Sequence, residues 1–368
     1  MAIGGDNALL KIFKLNDSSA RVGAIGNQTL MGHTGRVLRI AWNRPFRKLC
    51  TADEHGVIIV WTIEQNRFVE EMINSSDHAP VGDVKWSLDG KNICIVYGDG
   101  AIVVGSVGGD RLWAKSVDVS HQRLEWSPDG SNILIASTDA TISVYDMSGN
   151  VVKEFDNDGA TDIVDLRWHR NSSPDRKNFV VAHSYGDVYF RNALQHDSKS
   201  RIDCGITIEN CKWNDDGKIL AVCGVLNETD PNEPHASVVN FYSRDGILLY
   251  SLKVPTTECI FDVLWDPSGK LLVAFENSVF FASVHTPSTF TAVGNTMAYI
   301  SSDTVSTFDK AMSYTNESLV ANEHCYHRVR PEESPMEKRL PSLILRAASR
   351  TSINSARFYT FAVIDTCA

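Results

Sequence analysis

Apolar residues in this chain come in short bursts separated by polar corners, and the bursts fall into sets. Each set opens with a run in which apolar and polar positions alternate, as in Ile40-Ala41-Trp42-Asn43 or Val84-Lys85-Trp86-Ser87. Period-two alternation places the Trp and the residue two before it on one face of a strand. An Asp-Gly, Pro-Ser-Gly or Asn corner follows, and Gly accepts the positive φ that tight turns need. A continuous apolar run comes next: Lys48-Leu49-Cys50-Thr51, Ile93-Cys94-Ile95-Val96-Tyr97, Ile133-Leu134-Ile135-Ala136, Phe179-Val180-Val181-Ala182, Ile219-Leu220-Ala221-Val222 and Leu271-Leu272-Val273-Ala274. A third run follows another corner, for instance Val57 to Trp61 and Ser237 to Tyr242. A more variable fourth run closes most sets, as in Ile247-Leu248-Leu249-Tyr250. Four strands per set are predicted.

The sets repeat. Trp42, Trp86, Trp126, Trp168, Trp213 and Trp265 lie 44, 40, 42, 45 and 52 residues apart. Each is preceded at two residues by Ile40, Val84, Leu124, Leu166, Cys211 or Val263. A period near 40–45 residues with four strands per unit predicts a WD-repeat β-propeller. One sheet cannot cover both its apolar faces, so the units must stack in a ring. Each indole hides about 150–250 Å², which is at most about 4–6 kcal/mol per anchor at roughly 25 cal/mol per Å². Ala2-Ile3-Gly4-Gly5 and Leu9-Leu10-Lys11-Ile12-Phe13 read as the middle two strands of a further unit whose Trp-bearing strand is absent. The expectation is an all-β, seven-bladed propeller over residues 1–290, with an incomplete first blade and blades 2–7 from about residue 33. Such a ring would carry an unsealed edge. Residues 291–368 are expected to form an irregular, weakly structured tail, or the start of a truncated second propeller.

Composition narrows the function classes. The formal charge of −10 argues against general binding to nucleic acid or anionic membrane. No apolar run reaches the ~20 residues of a membrane-spanning helix. Eight cysteines without a C-x-x-C pair suit a reduced chain, in which Cys acts as a small hydrophobe. No phosphate-binding loop, nucleophile elbow or H-E-x-x-H helix is present, and no catalytic residue, cofactor or metal is expected. His324-Cys325-His327 lacks a fourth spaced ligand and reads as a solvated loop. No set of convergent His, Asp or Arg recurring from blade to blade is evident, which weighs against a propeller enzyme.

His33, after Gly32, opens a repeat, and its ring is expected to enter a buried network ending at Trp61. The acid usually placed six residues before that Trp is His55 here, so the network reads as incomplete. Polar inserts interrupt the fifth unit between its first two strands (Asn171, Asp175) and the sixth between its second and third (Asn227, Asp230, Glu233). Loops on a rigid scaffold carry recognition, so these are the candidate partner-binding loops.

Several phrases are more specific than the repeat. Leu9-Leu10-Lys11-Ile12-Phe13-Lys14-Leu15, Asn27 to His33, Ile58-Ile59-Val60-Trp61, Glu70-Glu71-Met72-Ile73-Asn74, Ile93 to Val107, and Val239-Asn240-Phe241-Tyr242 with Leu252-Lys253-Val254-Pro255 resemble the N-terminal propeller of the WD-repeat subunits of intraflagellar transport complex A. Tubby-like proteins carry a related propeller. The resemblance covers about residues 1–300. It implies a non-enzymatic scaffold in retrograde ciliary and flagellar transport and cargo entry. The implied partners are other subunits of that complex and ciliary membrane cargo; the implied location is cytoplasm, basal body and cilium. The family continues into a second propeller and a helical solenoid. The readings outside this resemblance are another WD-repeat adaptor, such as a coatomer-like vesicle coat or a tubby-type adaptor.

Overall fold

The computed structural model describes residues 1–13, 28–75, 79–155, 162–169, 178–193, 199–227, 236–254, 260–266, 269–275, 278–285, 289–293, 296–301, 304–309, 344–352 and 358–362. Its regular structure is all β. Seven four-stranded antiparallel sheets make the blades of a β-propeller, and three further strands form a sheet of their own. Blade 2 runs Val37–Asn43, Lys48–Asp53, Val57–Glu64, Arg67–Ser75; blade 3 starts at Val81–Trp86, blade 4 at His121–Trp126, blade 5 at Ile163–Trp168, blade 6 at Ile206–Trp213 and blade 7 at Ile260–Trp265. These first strands contact one another in sequence around the ring and line its centre. Second strands are covered on both faces, with Leu49 through Asp53 and Ile93 through Tyr97 all buried. That is why they read as unbroken apolar runs.

The core lies in the seams between blades rather than within any sheet. Trp86 packs in the seam of blades 2 and 3 with Ala41, Cys50, Val84 and Ile95. Trp126 fills the next seam with Cys94, Val96 and Tyr145. Trp168, Trp213 and Trp265 occupy the three seams that follow, and Trp42 joins Leu10, Leu49 and Phe68 between blades 1 and 2. Six seams therefore hold one first-strand indole each.

Blade 1 differs from the expectation of an open edge. The N-terminal chain supplies only three of its strands, Ala2–Gly5, Leu10–Ile12 and Gln28–Leu30. The innermost place is taken by Phe358–Ala362, antiparallel to Ala2–Gly5 with Ala2 opposite Ala362. Ile344–Ser352 likewise becomes the outermost strand of blade 7, paired with Ser278–His285. The ring thus extends past residue 290, because two edges rich in unpaired N–H and C=O groups are satisfied by strands from the far end of the chain. Thr289–Val293, Thr296–Ser301 and Thr304–Asp309 form the separate three-stranded sheet. Residues 310–343, with His324, Cys325 and His327, lie outside the described residues.

Candidate partner-binding site

The centre of the ring is a polar channel built by one repeated irregularity. In blades 2 to 7 the first strand skips one residue in its register, between Val37 and Arg39, Val81 and Asp83, His121 and Arg123, Ile163 and Asp165, Ile208 and Asn210, and Ile260 and Asp262. Such a bulge leaves backbone groups off the ladder and re-aims the next side chain. The residue after it, three before the Trp, is Arg39, Asp83, Arg123, Asp165, Asn210 or Asp262. In blades 2 to 5 these side chains bind the backbone of the next blade. Arg39 Nε donates to Gly82 O at 2.8 Å and Arg123 Nε to Val164 O at 2.7 Å, both carbonyls of skipped residues. Asp83 Oδ2 accepts from the Leu124 amide and Asp165 Oδ2 from the Cys211 amide, each at 3.1 Å. From blade 2 to blade 5 arginine answers a carbonyl and aspartate an amide, in turn.

A second layer lies one residue before the Trp in blades 3 to 6. Lys85 Nζ meets Glu125 Oε2 at 2.8 Å, Arg167 bridges Glu125 and Asp165 at 2.9 Å each, and Lys212 reaches Asp262 at 3.0 Å. Burial opposes the charge of Glu125, but Lys85 and Arg167 outweigh it and hold the carboxyl below the usual range. At Asp165 burial again pushes upward, and Arg167, Lys85 and Arg123 bring the carboxyl down. Burial alone would lower Arg167, yet Asp165 and Glu125 keep its pKa raised. A recurring set of Asp and Arg is therefore present in the channel, contrary to the sequence expectation. Its charges are spent on one another and on backbone, which suits rigidity rather than acid–base chemistry. Burial raises the thiols of Cys50, Cys94, Cys211 and Cys223, so none of these is an activated nucleophile.

The channel opens into a cavity of about 780 Å³ on the face carrying the turns between first and second strands. Its mouth includes Arg44, Pro45, Leu88, Pro128 and Asp215. Asn43 Nδ2 donates to Gly90 O at 2.7 Å, and the Phe46 amide donates to Asn43 Oδ1 at 3.2 Å, tying the turns of blades 2 and 3 together. Phe46 is 43% and Leu88 57% exposed beside that tie. Two large apolar side chains held in solvent on a cross-braced rim give an anchor point for a partner. Sequence reasoning missed this rim; the signal was an apolar residue inside each turn, where polar residues are the norm.

His33 sits in a closed network of four side chains. Its Nε2 lies 2.7 Å from Thr51 Oγ1 and its Nδ1 3.2 Å from Asp53 Oδ2, while Trp61 Nε1 donates to Thr51 Oγ1 at 2.9 Å. The acid is Asp53, not the position of His55. Asp53 ends the second strand, so its other oxygen can also accept the amides of His55 and Val57 and shape the turn. Burial would raise Asp53, but the amides of Val57 and Thr34 and the His33 ring overcome it, and the carboxyl lies below its ordinary value.

The tryptophans flank the channel on the seam side; Trp126 and Trp265 donate Nε1 to Lys85 O and Lys212 O of the preceding blade at 2.9 and 3.1 Å. The two candidate inserts are flanked by strand ends of different kinds. The first is bordered by the end of Ile163–Trp168 and the start of Asn178–His183, the second by the end of Ile219–Leu226 and the start of Ser237–Ser243, and in antiparallel sheets these strand ends lie at opposite faces of the ring. Asn227 is exposed and accepts from Thr207 Oγ1 at 2.8 Å. Asn171, Asp175, Asp230 and Glu233 lie outside the described residues.

A seven-membered ring of four-stranded sheets with a His–Asp–Thr–Trp network defines a WD-repeat β-propeller. Residues 1–285 match the family described as WDR35/TULP4 N-terminal, and the chain belongs to that family. Human WD repeat-containing protein 35 is 32% identical over 322 residues, covering 81% of this chain and 27% of that protein. Human Tubby-related protein 4 is 26% identical over 287 residues, covering 67% of this chain and 18% of its own length. The chain thus spans about a quarter or less of these relatives. A chain in the crystal structure of the mitotic checkpoint complex superposes with a TM-score of 0.56 at 14% identity, covering 74% of this chain and 86% of that one, a likeness of fold alone.

Proposed function

We propose that this chain is a non-enzymatic scaffold of the intraflagellar transport complex A type, serving retrograde ciliary and flagellar transport and cargo entry. Membership of the WDR35/TULP4 N-terminal family carries this reading, joined to the 32% identity with WD repeat-containing protein 35. The self-compensated channel supports a rigid hub rather than an enzyme. Its partners are sister subunits of the complex and ciliary membrane cargo, in cytoplasm, basal body and cilium. The rim at Phe46 and Leu88 is the first contact surface, with the inserts around Asn171, Asp175, Asn227, Asp230 and Glu233 as further ones. Affinity capture of the tagged chain from flagellated cells tests this. Sister subunits should be recovered, and a Phe46→Asp/Leu88→Asp chain should recover at least about tenfold less at an unchanged melting temperature. Recovery of no complex subunit by the unaltered chain refutes the assignment. The likeness to Tubby-related protein 4 favours a tubby-type adaptor as the second reading; recovery of other partners alone would select it.

A further inference from the structure

Neighbouring blades are joined by short links from an outermost strand to the next innermost one: Ser75 to Val81, Ser116 to His121, Phe155 to Ile163, Asp203 to Ile206 and Lys253 to Ile260. Ser352 to Phe358 is a step of the same kind. The segment 344–362 therefore carries one whole inter-blade step, outermost strand of blade 7 and innermost strand of blade 1. Without it, Ser278–His285 pairs only with Lys270–Phe275, and Ala2–Gly5 only with Leu10–Ile12. A second observation falls on the same place. Among the described side chains, the seam of blades 7 and 1 is packed by Met1, Ile3 and Phe13 against Leu272, Ala274 and Val279 and holds no tryptophan, unlike the other six.

We propose that residues 344–362 are an exchangeable clasp, and that the strand edges they cover form a β-augmentation site whose occupant in trans is the same segment of a second copy of this chain. Recognition is through backbone ladders on both sides, which any copy of the segment supplies equally. Residues 310–343 separate the clasp from Asp309 and can span up to about 110 Å when extended. Reach therefore does not confine the clasp to its own ring. Tethering does favour the intramolecular arrangement, because a segment joined to its own ring is held at a raised effective concentration. Exchange accordingly grows at high protein concentration, or when rings open and reclose there, as in domain-swapped dimers.

Ala2 and Ala362 stand directly opposite, so the full chain with Ala2→Cys and Ala362→Cys reports which copy supplies the strand. Oxidised at low micromolar concentration it should give an intrachain cross-link. After incubation at several hundred micromolar, a cross-linked dimer should rise at least about fivefold. The single Ala2→Cys chain gives the background from native thiols. In parallel, a fluorescent peptide of residues 344–362 should bind the unaltered full chain saturably and bind poorly once the intrachain cross-link is closed. Intrachain product alone at every concentration, with no peptide uptake, overturns the proposal. Should the double variant fail to fold, peptide uptake by the unaltered chain decides alone.

Discussion

Ala140 occupies a corner where three other blades place glycine. Its φ is 66°, beside 81° at Gly56, 87° at Gly100 and 113° at Gly186. A left-handed alanine costs about 1–2 kcal/mol, partly returned by its lower unfolded-chain entropy. Ala140→Gly should therefore stabilise the ring by about 0.5–1 kcal/mol in urea denaturation. The reverse change at Gly100 meets Val117 O at 1.9 Å from the new Cβ; Gly100→Ala should cost about 2–3 kcal/mol. Thr51 tests the buried network, since it serves both His33 and Trp61. Thr51→Val leaves two buried nitrogens without that partner and should cost about 1–3 kcal/mol by the same measurement. His33 and Trp61 were legible as repeat residues. The acid was not, because counting back from Trp61 assumes a fixed turn, whereas Asp53 is fixed by the strand it ends.

Among elements, the bulged first strands join the blades at the channel. Asp165 accepts from the Leu166 and Cys211 amides and pairs with Arg167. Removing one member of a buried, hydrogen-bonded charge set costs about 3–5 kcal/mol. Asp165→Ala should lower the unfolding free energy by that amount, whereas Lys91→Ala, an exposed charge paired to Asp89 at 3.6 Å, should change it by less than about 1 kcal/mol. Equal effects would mean that the channel layer is not a staple. The sequence hid this layer for a physical reason. The skipped residues, Leu38, Gly82, Gln122, Val164, Glu209 and Phe261, share no chemistry, since only their backbone matters. From blade 2 to blade 5 the residues three before each Trp alternate in sign, because a carbonyl needs a donor and an amide an acceptor, and blades 6 and 7 carry Asn210 and Asp262, so no one residue type marks every blade.

At the scale of the molecule, the ring could be read from its indoles because burying one in each of six seams requires a fixed spacing. Closure could not. Pairing of Ala2–Gly5 with Phe358–Ala362 is made by backbone groups, and strand addition of that kind leaves little trace in side-chain pattern. The insert between Ser278–His285 and Ile344–Ser352 broke the period further. The ring also sets how stability depends on pH, since stacking blades buries titratable groups that an isolated sheet would hydrate. Burial lowers His33, and lowers His121, His169 and His183 as well. The unfolded chain then binds more protons than the folded one below the ordinary histidine value of about 6.5, so stability rises with pH through that region. This contribution is fully present above about pH 6.5 and is lost as pH falls toward the folded values. Asp53, Glu125 and Asp165, all lowered, add a second loss below about pH 4. Urea midpoints between pH 5 and 7.5 should climb. His183 is fully buried against Tyr185 and Tyr189, so His183→Phe should reduce the slope by up to about 1.4 kcal/mol per pH unit where it titrates. A flat profile in the unaltered chain, or an unchanged slope in the variant, would mean that these rings are hydrated in solution and that the seams are looser than the packed ring requires.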